Sequence, residues 1–294
     1  ISLETYVMPH TYGYYVEIFE GDLIGHRFDV SSVAGSTITL ATDTDLFSGP
    51  PYNTVVTAGS ISLAIVGDRF ILRAHNTLNG MFPPASDAFT AQDHTFVSGH
   101  PADYVYLYES DWAPYWLYKN ASGSAPHWDL DGDALFVDAG MKVIPPGQGL
   151  FLAPQETTAT LLAVGVVRKN PFAMPLPQGW SFQASPFPID QGPAERFMNH
   201  HTFDGSNDAS TSDTVCFWLG DGATYSPEFR CAFLFDPTDT QTPRWVYSDD
   251  EFLTPRDFET SIFPRDGSSF YYRYNGAKPD YLLPLPWCIG LIGE

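Results

Sequence analysis

Three scarcities narrow the chemistry of this chain. It holds 3 cysteines in 294 residues, only 14 lysines and arginines against 35 aspartates and glutamates, and no long apolar run. The formal net charge is −21. A field of that sign repels phosphate, which excludes nucleic acid as a partner and argues against anionic membrane surfaces. Without a run of about 18 apolar residues, no helix is expected to span a bilayer. Cys216, Cys231 and Cys288 form no C-x-x-C pair and no Cys/His cluster, so a structural zinc site is unsupported. The signatures H-E-x-x-H, H-x-H and G-x-S-x-G are missing as well. No pair of carboxylates carries the mark of a glycosidase. The sequence therefore reads as non-catalytic.

What is present points to strands and turns. Aromatics reach 15% of the chain, with 22 Phe, 16 Tyr and 7 Trp beside 24 Gly and 25 Pro. Such residues suit pleated, half-buried surfaces punctuated by tight turns. Period-2 alternation marks YYVEIF (Tyr14 to Phe19), STITLAT (Ser36 to Thr42), SISLAIV (Ser60 to Val66) and RFILRA (Arg69 to Ala74) as strands. The fold class expected is all-β: sandwich or partly open barrel modules, one of them internally duplicated, with at most a few short helices. The apolar share of 44% is enough for a sizeable core.

The duplication is read from aromatic strands recurring in the same order. DYVYLY (Asp103 to Tyr108) answers DTVCFW (Asp213 to Trp218), and YWLYK (Tyr115 to Lys119) answers AFLFD (Ala232 to Asp236). HWD (His127 to Asp129) answers RWV (Arg244 to Val246), and Phe151 stands opposite Phe270. The expected organisation is an N-terminal β segment (1–76), a first module copy (77–190) and a second (191–294). Each copy is expected to open with a short helix, TLNGMF (Thr77 to Phe82) and GPAERFMN (Gly192 to Asn199).

Three groups of residues are candidates for function. The acidic turn DLDGD offers Asp129, Asp131 and Asp133, with Gly132 bending the chain, either as ligands of Ca²⁺ or as an ordinary solvated turn. DGSNDASTSD (Asp204 to Asp213) offers a weaker version of the same choice. The stripes YVYLY, APYWLY and FYYRY (Phe270 to Tyr274) place aromatics on both faces of a strand. They fill the core, form a subunit interface or stack on glycans. Cys216 and Cys231 sit on two strands of one hairpin, equidistant from a turn near Gly222 to Thr224, and are predicted to form a disulfide.

Both ends of the chain are apolar: ISLETYVMPHTYGYYVEIF carries only Glu4 and Glu17, and YLLPLPWCIGLIGE ends the sequence. These arms predict self-assembly by strand addition between copies, giving a filament or surface layer. A start at Ile1 rather than Met fits a processed or trimmed chain.

YYVEIFEGDLIGHRFDV, TITLATDTDL, GDRFILRAHNTLNGMFP, IPPGQGLFLAP and GWSFQASPFPID together resemble the recurrent blocks of an uncharacterised family of secreted, multi-copy, β-rich proteins, found mainly in Verrucomicrobia and related bacteria. The similarity covers roughly Tyr14 to Tyr247. It implies export and an extracellular or cell-surface setting, and it brings no activity with it.

Overall fold

The computed structural model describes residues 13–21, 23–40, 69–86, 89–92, 102–109, 111–119, 125–154, 170–174, 176, 178–218, 229–237, 243–248, 263, 268–275 and 281–284. Within them the chain is all-β, built as antiparallel sheets that do not close into a barrel.

The first sheet contains β1 (Tyr14–Glu20), β2 (Arg27–Ala34), β3 (Thr37–Leu40) and β4 (Arg69–Ala74), in the order β4-β1-β2-β3. The second contains β6 (Tyr104–Tyr108), β7 (Trp112–Tyr118), β8 (His127–Leu130) and β10 (Leu150–Ala153), in the order β10-β6-β7-β8. The third contains β13 (Thr214–Trp218), β14 (Phe229–Phe235), β15 (Arg244–Tyr247) and β16 (Ser268–Arg273), in the order β16-β13-β14-β15. In each, the fourth strand returns beside the first, which is the strand order of a Greek key. The third sheet gains β12 (Gly179–Ala184) on its β16 edge. Two short pairs complete the set: β5 (Asn76–Thr77) with β9 (Val143–Ile144), and β11 (Phe172–Met174) with β17 (Tyr281–Leu283).

Alternation decides which side of each sheet is core. In β6, Val105 and Leu107 are fully buried while Tyr104, Tyr106 and Tyr108 are half-exposed. The inner face of the second sheet packs Val105, Leu107, Leu117 and Trp128 against Leu78 and Phe82. The third sheet turns Val215, Phe217, Leu234, Trp245 and Tyr271 inward in the same way. The first sheet has a smaller core of its own around Val16, Ile18 and Phe28. Its opposite face is polar and docks elsewhere. Arg27 there donates to the carbonyls of Pro146 (2.6 Å) and Ala173 (2.8 Å) and lies over the Phe172 ring.

Matched contacts recur in the second and third sheets. Trp128 Nε1 donates to Phe82 O at 2.8 Å, and Trp245 Nε1 donates to Met198 O at 2.9 Å. The Asp103 carboxylate accepts from the Thr90 amide while the Asp103 amide donates to Thr90 O. Asp213 and Asp204 do the same. Phe89 meets Trp128 edge-on as Phe203 meets Trp245.

The two expected helices fare differently. Thr77 caps one turn, α1 (Leu78–Met81), by accepting from the Gly80 amide. GPAERFMN forms turns instead, with Arg196 N–H donating to Gly192 O. Phe197 adopts φ 53° there, and a left-handed residue ends the helical path before a second turn. SISLAIV and the hairpin tip near Gly222 lie outside the described residues.

Candidate functional site

Strand register places side chains of one kind on the outer faces of the second and third sheets. In the second, Tyr106 faces Phe151 on one side and Pro114 on the other, and Tyr108 faces Trp112. In the third, Trp180 faces Tyr272 and Phe182 faces Phe270. The two faces become one because the sheets meet edge to edge. Gly149 N–H donates to Phe182 O (2.9 Å) and Ala184 N–H donates to Gly147 O (2.8 Å), around a bridge between Gln148 and Gln183. The seam needs its glycines. Gly147 sits at φ +88°, and a Cβ there would lie 2.6 Å from Phe172 Cζ. A Cβ at Gly149 would lie 2.5 Å from Phe182 Cδ1.

Across the seam the rings form an unbroken chain. Tyr104 stacks on Tyr106 (5.7 Å between centroids), and Tyr106 meets Trp112 edge-on (6.5 Å). Trp112 then contacts Phe270 (5.8 Å), Phe270 contacts Trp180 (6.2 Å), and Trp180 leans on Tyr272 (5.0 Å). Tyr108, Phe151 and Phe182 pack beneath and beside this path. Phe182 is buried, Trp180 is 45% exposed, and the remaining rings of the path are half-exposed. Among the described residues, the outward strand positions from β8 to β13 hold no Lys or Arg. Tyr104 lies near Asp131, and burial together with that charge pushes its hydroxyl up to about 12. Tyr108 is raised first by burial and then by Asp111. The surface can therefore offer ring faces, phenol hydroxyls and flanking carboxylates.

The stripes YVYLY and FYYRY supply part of this face, as alternation suggested. Trp180 and Phe182 were not among the residues singled out. Their signal is the same alternation in GWSFQA, where two aromatics fall on one side of a strand.

The three candidate calcium ligands separate along the turn. Asp129, on β8, is fully buried, and among the described residues its carboxylate oxygens have no hydrogen bond of good geometry. Burial and the charge of Asp133 push it up to about 6, against the opposing effects of His127 and the Leu130 amide. Asp131 is exposed. Asp133 accepts from the Leu135 (2.9 Å) and Val137 (3.2 Å) amides and so folds the turn over the strand. Phe136, at φ 51°, stacks on Tyr118 and closes the lid. Among the described residues no three His, Cys, Asp or Glu side chains are grouped to hold a metal ion. In the second acidic stretch, Asp208 caps a 3₁₀ turn at Ala209–Thr211.

Cys216 and Cys231 are directly opposite in register on β13 and β14 and form the disulfide. Cys288 lies outside the described residues, as do residues 1–12 and 285–294 of the terminal arms. The described parts of both arms pair within the chain: β1 is a central strand of the first sheet, and β17 pairs with β11. No described helix is long and apolar enough to cross a membrane. No family model, curated protein or solved structure matches the chain.

Proposed function

We propose that this chain is a non-catalytic, extracellular recognition protein that holds carbohydrate chains on the aromatic face joining its second and third sheets. The observation that carries the reading is the continuous run of rings from Tyr104 to Tyr272 across a seam whose described strand positions face outward without Lys or Arg. Aromatic rings stack on the apolar faces of sugars, while hydroxyls and amides at the rim take the sugar hydroxyls. Asp111, beside Trp112, and the half-exposed tyrosine hydroxyls of β6 supply such groups. A disulfide suits an oxidising compartment, and the resemblance to exported proteins supports the extracellular setting. The second and third sheets are read as copies of one module, supported by their shared strand order and matched Trp and Asp contacts. The filament reading rests on arm residues outside the described structure, so the aromatic face is the better supported of the two.

The test is sedimentation with insoluble polysaccharides, comparing the wild type with Tyr106→Ala/Trp180→Ala. The wild type should co-sediment with at least one polysaccharide and the variant should remain in solution with its melting temperature nearly unchanged. Equal behaviour of the two proteins would overturn the assignment of the face.

A further inference from the structure

The face is asymmetric in charge. Asp111 precedes Trp112, which faces Tyr108 across the hairpin, and the Asp131 amide donates to the carbonyl of Pro114, which faces Tyr106. Both aspartates are exposed, and their charges act on Tyr104 and Tyr108 of the row on β6. Asp111 commits Oδ1 to the Trp112 amide at 2.8 Å. The nearest strands add no compensating cation among the described residues, since the outward positions from β8 to β13 hold no Lys or Arg. Over the whole chain the net charge is −21.

A ligand that met only ring faces and hydroxyls would gain nothing from this charge, and an anionic polymer would be repelled by it. A ligand bearing ammonium groups would gain twice. The ring quadrupole attracts a cation lying over a tyrosine face, and the carboxylates beside the row attract it again. Resting on the carbohydrate reading above, we infer that the preferred ligand is an amino-sugar polymer with free amines. Its ammonium groups lie over Tyr104, Tyr106 and Tyr108, beside Asp131 and Asp111. Its remaining sugar rings continue across the seam toward Trp180. Because the tyrosines project from one strand face at every second residue, the surface favours an extended, repeating chain over a single sugar.

Calorimetric titration of the full chain with six-unit oligomers of glucosamine, N-acetylglucosamine and glucose tests this at a pH where the amines are protonated. The glucosamine oligomer should bind about tenfold more tightly than either neutral one at low salt. That advantage should shrink in about 0.5 M salt and disappear in Asp111→Asn/Asp131→Asn, which retains its affinity for the neutral oligomers. Equal affinity for all three oligomers would overturn the amine preference and leave the carbohydrate reading standing. A lysine-rich peptide that binds more tightly than the glucosamine oligomer would overturn it in favour of a protein ligand. Binding of none of them would overturn both proposals.

Discussion

The second and third sheets carry the same strand order and matched interior contacts, yet their outer faces differ at positions that correspond in strand register. Where the third sheet faces Cys216 with Cys231 and closes the hairpin covalently, the second faces Tyr106 with Pro114. Where the third buries Val246 opposite Phe233, the second buries Asp129 opposite Trp116 and, among the described residues, leaves that carboxylate without a hydrogen bond of good geometry. Apolar burial and a cross-link each stabilise a sheet, whereas a buried carboxylate without good hydrogen bonds costs stability. The outer face of the second sheet thus lacks two stabilising features that the third possesses. Departures of that kind concentrate at functional surfaces. The face that holds the tyrosine row is the one that departs.

The largest expected effects test the shared frame. Trp128→Ala and Trp245→Ala each remove a buried indole and orphan a carbonyl, Phe82 O or Met198 O. Each should cost about 3–5 kcal/mol in denaturant unfolding. Costs that differ severalfold would break the equivalence of the two sheets. Next comes the feature peculiar to the third sheet. Cys216→Ala/Cys231→Ala opens a link spanning 15 residues and should cost about 3 kcal/mol. Conversely, Tyr106→Cys/Pro114→Cys places two thiols at the equivalent facing positions and should form a new disulfide, visible as a loss of titratable thiol.

Asp129 gives a smaller effect with a defined pH dependence. Its folded value is raised to about 6 from an ordinary 3.8, so the unfolded chain loses this proton first as pH rises. The favourable state is therefore intact below pH about 4, and its contribution is lost as pH climbs to about 6. Asp129→Val, which copies the third sheet, should flatten that part of the stability curve and raise the melting temperature at neutral pH. A curve unchanged from the wild type would show that the carboxylate is not strained. The smallest effect belongs to Trp180→Ala. That ring is nearly half exposed, and its removal should change stability by only about 0.5 kcal/mol while weakening carbohydrate binding.

Much of the second and third sheets was legible because alternation fixes the inner face wherever one side is buried. DYVYLY, DTVCFW and their partners read correctly as strands for that reason, and the facing cysteines followed from hairpin register. The seam was not legible. It joins Gln148 to Gln183 across 35 residues, and nothing local in either segment announces the partner. Nor was the burial of Asp129, because a DLDGD turn looks solvated until Phe136 is seen folding over it. The strand order of the first sheet was hidden too, since β4 returns to β1 from more than fifty positions along the chain and local patterning cannot specify so distant a pairing.

The claim that the second and third sheets share one binding surface is tested most directly by hydroxyl-radical footprinting of the intact protein, with and without a saturating carbohydrate oligomer. Tyr106, Trp112, Trp180 and Tyr272 should all be protected together, while the exposed Leu135 and Phe197 remain as reactive as before. Protection confined to residues away from the seam, or to one sheet only, would contradict the account.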